Sequence, residues 1–159
     1  MSSIVDFASP PLNEVICGVN FRKIEGFTAP YVGLLWQEFG SEYPKCEVHP
    51  PLAQVSEQTG GMQWEVSSIP PFPRVWFVSE DDTRLVQVQQ DLLIHNWRQV
   101  ESSRAYPRYE TVKAGFNEAL SKFNAFITTH ELGNVEAMQY ELSYVNFIAE
   151  GDGYRGLDA

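Results

Sequence analysis

The run from Arg74 to Trp97, RVWFVSEDDTRLVQVQQDLLIHNW, restricts the fold more than any other part of this chain. β-Branched and aromatic residues fill Arg74 to Ser79, and the acidic stretch Glu80-Asp81-Asp82-Thr83 interrupts them. Apolar and polar residues then alternate from Leu85 to Ile94. Two such runs around a short polar break read as a β-hairpin. The returning strand is predicted from Leu85 to about Ile94, continuing to Trp97. Alternation sorts its side chains, with Val86, Val88, Leu92 and Ile94 on one face and Gln87, Gln89 and Asp91 on the other.

The remaining elements follow from the same two periodicities. Ser9-Pro10-Pro11-Leu12 is a stiff extended lead into a strand over Val15–Phe21. Tyr31, Leu34, Leu35 and Phe39 recur at helical spacing, which predicts a helix from about Pro30 to Phe39 with Thr28 as its cap. Glu47-Val48-His49 is a short edge strand. Alternation resumes over Met62–Ile69 until Pro70, Pro71 and Pro73 break it. Tyr109, Val112, Phe116, Leu120, Phe123 and Ile127 mark a long amphipathic helix, with Pro107 in its first turn and Gly133 past its end. Met138–Ile148 is a last strand, which places Tyr140, Leu142, Tyr144 and Ile148 opposite Gln139, Glu141 and Ser143.

The expected class is α+β: an antiparallel sheet with two helices on one face, in the order β-α-β-β-β-β-α-β. Residues 1–150 form one domain and residues 151–159 a polar tail. The apolar sets should lie beneath the helices, leaving an open sheet face rich in amides and carboxylates.

Composition narrows the partners. The 159 residues are 43% hydrophobic and 20% charged, within the range of a folded domain. A formal charge of -10 disfavours direct binding to nucleic acid or to an anionic membrane, both of which call for clustered Lys and Arg. The start of the chain has neither a basic nor an apolar leader segment, so a cytoplasmic location is expected. Cys17 and Cys46 lie in separate elements without CxxC spacing, and His49, His95 and His130 lack ligand spacing. No cofactor or metal is expected.

Two surfaces carry the candidate chemistry. Gln87, Gln89, Asp91 and Glu141 present donors and acceptors on the open face, a docking platform or a solvated surface. Trp97, Arg98, Arg104 and Arg108 form a basic-aromatic connection at a helix start, suited to a phosphate or carboxylate. Pairing of these arginines with Glu101 and Glu110 is the plainer alternative. No catalytic constellation is visible.

PPLNEVICGVNF, RVWFVSEDDTRLVQVQQDLLIHNWR, YPRYE and QYELSYVNFI together resemble a bacterial family of unknown function, distributed sporadically among genomes. The shared pattern is a proline-led first strand, L-x-Q-x-Q before N-W-R, Y-P-x-Y-E, and a late E-x-x-Y-x-N strand. The resemblance spans Pro10 to Ile148 and covers the family's N-terminal part; it implies no activity, cofactor or catalytic residue. The element order also resembles one half of a TATA-binding-protein-like unit, whose unpaired sheet edge dimerisation would cover. The expected function is a non-enzymatic binding module acting through a protein partner or self-association. The alternatives are a domain of an enzyme completed by a further half, and an acidic mimic of nucleic acid in phage defence.

Overall fold

The computed structural model describes residues 10–52, 71–100 and 106–148. Its elements are β1 (Leu12–Phe21), α1 (Ala29–Phe39), β2 (Lys45–His49), β3 (Arg74–Val78), β4 (Arg84–Val88), β5 (Leu92–Arg98), α2 (Tyr109–Thr129) and β6 (Ala137–Asn146). The six strands form one sheet in the order β2-β3-β4-β5-β1-β6, with every neighbouring pair antiparallel. The α+β order read from the sequence is the order observed.

One of its strands arises differently. The predicted strand from Leu85 to Trp97 is two strands, folded back at Gln89–Asp91 so that Val88 faces Leu93 and Gln87 faces Ile94. The predicted strand at Met62–Ile69 lies outside the described residues, as do Arg104 and the tail at 151–159. The new turn is closed by Gln89 N–H donating to the Leu92 carbonyl at 2.9 Å. It is bolted to the segment between β1 and α1. Phe21 N–H donates to the Asp91 carbonyl, Ile24 N–H to that of Gln90, and the Gln90 side-chain amide to that of Phe27. A turn built on Gln-Gln-Asp has no glycine to mark it; tertiary hydrogen bonds hold it instead.

Both helices lie on one face of the sheet. Val15, Cys17, Val19, Val75, Phe77, Val86, Val88, Leu93 and Trp97 point into this layer and are buried. Aromatic rings stitch it together. Phe123 of α2 meets Phe21 at 5.6 Å and Phe27 at 5.7 Å, and Phe39 of α1 meets Phe77 at 5.5 Å. Cys17 is a small core residue, and both thiols are free.

The helix ends differ in detail from expectation. Thr28 holds the N-cap position of α1, but its side chain makes no capping bond. Pro107 precedes α2, whose cap is Arg108 at φ 74°. The other end is capped by His130, not Gly133, and its backbone N–H reaches the Phe126 carbonyl.

Gly115 sits mid-helix in α2. A Cβ there would stand 2.6 Å from Cε1 of His95. Ordinarily Gly→Ala in a helix interior stabilises by about 1 kcal/mol. Here we expect Gly115→Ala to destabilise by about 1–3 kcal/mol through overpacking, read as a lower urea midpoint. A gain in stability would show that the His95 ring moves aside freely.

Candidate functional site

The strand pairing sets two groups of functional side chains on opposite faces. Gln87, Gln89, Arg98 and Glu141 belong to the face away from the helices, while Trp97 belongs to the helix face. Asp91 is in the β4–β5 turn, and Arg108 stands at the start of α2.

The face away from the helices is not open at its centre. Gln87 is 6% exposed, Gln89 5% and Asn96 1%, with Leu85, Val78 and Ile94 buried beside them. This corrects the expected amide-lined open surface. Buried amides need partners, and these have them. Arg74 Nη1 donates to Gln87 Oε1 at 3.1 Å, Gln87 Nε2 to Asn96 Oδ1 at 2.9 Å, and Asn96 Nδ2 to Glu14 Oε1 at 2.7 Å. The series crosses β3, β4, β5 and β1. Arginine only donates and a carboxylate only accepts, so the two amides between them point one way. Gln89 pairs with the backbone of Leu52 in both directions, accepting from its N–H at 2.7 Å and donating to its carbonyl at 3.1 Å. It also donates to Asp91 Oδ1 at 3.1 Å. Gln87, Gln89 and Asp91 are thus engaged within the fold.

Arg98 is engaged too, and of the acids expected for it Glu101 lies outside the described residues. Its Nε donates to the Asp82 carbonyl at 2.7 Å, clipping the end of β5 to the β3–β4 turn. In that turn Asp81 Oδ1 accepts from the Ser79 and Thr83 hydroxyls, each at 2.8 Å. Lys45 bridges to Asp82 at 3.1 Å. The acidic turn is therefore self-organised, and among the described residues no group of three or more His, Cys, Asp or Glu is placed to hold a metal. Glu141 is exposed on β6 and accepts only from Ser143 among the described hydrogen bonds.

The helix face contains the cleft that the sequence did not reveal. Between α2 and the β4–β5 pair lies a cavity of about 490 Å³, lined by Thr83, Arg84, His95, Trp97, Val112 and Gly115 among others. His95 is 2% exposed, and neither ring nitrogen makes a hydrogen bond of ordinary geometry, although the Val112 carbonyl lies near the ring. An unpaired buried polar group costs about 1–3 kcal/mol. Burial, and then the Arg84 charge, push the imidazole down to about 4; Glu42 and the Val112 carbonyl oppose them. The ring is accordingly neutral near pH 7, with one donor and one acceptor. Trp97 forms the aromatic wall, backed by Tyr106 at 5.3 Å. The one sequence signal for this cleft was Gly115, which interrupts an otherwise strong helix.

The third feature is β6. Tyr140, Leu142, Tyr144 and Ile148, the apolar set expected beneath the helices, are exposed by 45% to 64%, as is Met138. The helices do not reach it. α2 packs over β5 and β1, and among the described residues β6 pairs with β1 alone.

No family model, no curated protein and no solved structure matches this chain. The familial and TATA-binding-protein-like resemblances therefore rest on sequence pattern and element order. No helix among the described residues is long and apolar enough to cross a membrane.

Two measurements follow from the polar groups. Replacing Asn96 with Leu strands Gln87 and Glu14, so we expect a loss of about 2–3 kcal/mol, and for the double variant with Gln87→Leu a loss smaller than the sum of the two single ones. Strictly additive losses in urea titrations would remove the coupled series. For His95, the unfolded chain takes up a proton as pH falls through about 6.5, whereas the folded chain does so only near 4. Between these values the unfolded state binds more protons, so stability falls as pH falls, by on the order of 3 kcal/mol. His95→Gln should flatten the stability profile over that window by about one proton; an unchanged slope would assign the titration elsewhere.

Proposed function

We propose that this domain is a protein-interaction module that self-associates along β6. The observation that carries this reading is the uncovered apolar row Met138-Tyr140-Leu142-Tyr144 beside the outer backbone edge of a ten-residue strand. Edge strands that avoid pairing carry lysines, prolines, inward charges or bulges. β6 has neither lysine nor proline, and Glu141 is its one charged residue. Its register shifts against β1 fall near its two ends, at Leu12/Glu14 and Asn20/Phe21 of β1, leaving a regular stretch between them. A second copy meeting this edge antiparallel continues the sheet and sets the two apolar rows side by side.

The acidic-mimic alternative has less support, because several carboxylates are committed to ion pairs. Glu42 and Glu118 both hold Lys122, Glu136 holds Arg22, and Asp82 holds Lys45. A surface that imitates phosphates needs its carboxylates unpaired.

Sedimentation equilibrium tests the proposal. We expect a concentration-dependent dimer that tightens with salt, because two chains of charge -10 repel while the contact itself is apolar. Tyr140→Lys combined with Leu142→Lys should give a monomer whose unfolding midpoint matches that of the wild type at concentrations too low for dimerisation, since both positions are exposed. A strict monomer across the micromolar range, or a dimer that survives both substitutions, would overturn the reading.

A further inference from the structure

The His95 cleft has a chemistry of its own, separate from β6. Three features define what fits it. The floor is an imidazole, 2% exposed as a residue, neither of whose nitrogens makes a hydrogen bond of ordinary geometry although the Val112 carbonyl is near, so an occupant can supply a better-placed one. The walls are flat or small: Trp97 on the sheet side, Val112, Ala114 and Gly115 on the helix side, and Pro107 at one end. The rim holds Arg84, whose guanidinium lies 5.6 Å from the centre of the Tyr43 ring and makes no ion pair among the described residues. Nearby Glu42 and Glu118 are both taken by Lys122.

The cleft volume of about 490 Å³ is in the range of small-molecule sites. The charge pattern limits the anion. A single guanidinium faces the cleft, Glu118 also lines it, and the chain is acidic overall. A polyphosphate would meet one lining cation beside the Glu118 carboxylate, whereas a monocarboxylate matches the planar fork of one arginine.

We infer that the cleft between α2 and β4–β5 binds a small hydroxy- or oxo-substituted aromatic monocarboxylic acid. Arg84 takes the carboxylate, Trp97 and Val112 take the ring, and His95 pairs with the oxygen substituent. Gly115 is a positioning residue: its missing side chain leaves the imidazole room at the floor.

The probe is 4-hydroxybenzoate, titrated into the isotope-labelled full chain while the His95 ring, Trp97 indole and Gly115 amide resonances are followed. We expect saturable shifts at these three positions. Benzoate, which lacks the hydroxyl, and 4-hydroxybenzamide, which lacks the charge, should each bind about ten-fold more weakly. Arg84→Gln, at an exposed position, should reduce 4-hydroxybenzoate affinity about ten-fold and remove its preference over the amide. Ala114→Leu fills the cleft from an exposed helix position and should abolish binding with the amide spectrum otherwise intact. The inference is overturned if no saturable shift occurs, if the amide binds as well as the acid, or if Ala114→Leu leaves binding unchanged. None of these outcomes depends on whether β6 associates.

Discussion

The width of the sheet governs what this domain exposes. Six strands about 4.8 Å apart span roughly 24 Å between the outer strands, while two packed helices about 10 Å in diameter cover roughly 20 Å. Two helices therefore cannot shield six strands. Here the shielding is asymmetric. α1 lies toward β3 and α2 over β5 and β1; Phe123 and Phe126 of α2 meet Phe21, Phe27 and, from α1, Tyr31. The edges absorb the shortfall differently. β2 is short, carries Lys45, Glu47 and His49, and stacks its His49 ring on Trp76 at 3.9 Å. That edge is blunted by charge. β6 is twice as long and apolar on its helix-side face, so the uncovered width falls on a surface suited to association.

The opposite face solves a second problem set by the same sheet. Its middle strands are buried, yet β4 and β5 bring Gln87 and Asn96 there. Placed singly, either amide would be costly; placed as cross-strand neighbours between Arg74 and Glu14, each satisfies the next. A one-residue slip of β4 against β5 would turn Gln87 toward the aromatic core and break the series at its centre. The amides thus select register across four strands. A hydrophobic pair at the same positions would stabilise by burial but would distinguish less between alternative pairings.

Elements whose order comes from local pattern were legible in the sequence. The stripe from Tyr109 to Ile127 specifies α2 closely, and Val15–Phe21 lies within β1. The site was not legible, for a reason that traces to two residues. The turn at Gln90–Asp91 lacks glycine, proline and asparagine, so the alternation continues past it without interruption. Reading one strand through the turn inverts the phase of everything after it. Leu93, His95 and Trp97 then fall with Gln87 on the supposedly wet face, whereas they lie on the helix face beside Val86 and Val88. The long-range bonds from Phe21, Ile24 and Gln90 that hold the turn cannot be seen in a local window. β6 failed differently: its alternation was read correctly, but the reach of the helices is a property of the whole sheet.

His95 and Gly115 together show why the cleft is more than a packing flaw. A helix-interior glycine gives up about 1 kcal/mol relative to alanine, and a buried imidazole without a hydrogen bond of ordinary geometry gives up about 1–3 kcal/mol. Either cost is avoidable alone. A smaller apolar residue at position 95 would admit alanine at 115, closing the gap between α2 and β5 with ordinary packing. Instead the two departures meet within one contact, each requiring the other, because the ring occupies the place of the absent Cβ. Elsewhere on this face the core is filled by Phe, Leu and Val with consistent helix and strand preferences. When local propensity, packing and polar satisfaction agree across a layer and fail together at one point, the failure marks where folding and function make different demands. Here that point is the floor of the cavity, under the Arg84 guanidinium, which has no ion-pair partner among the described residues.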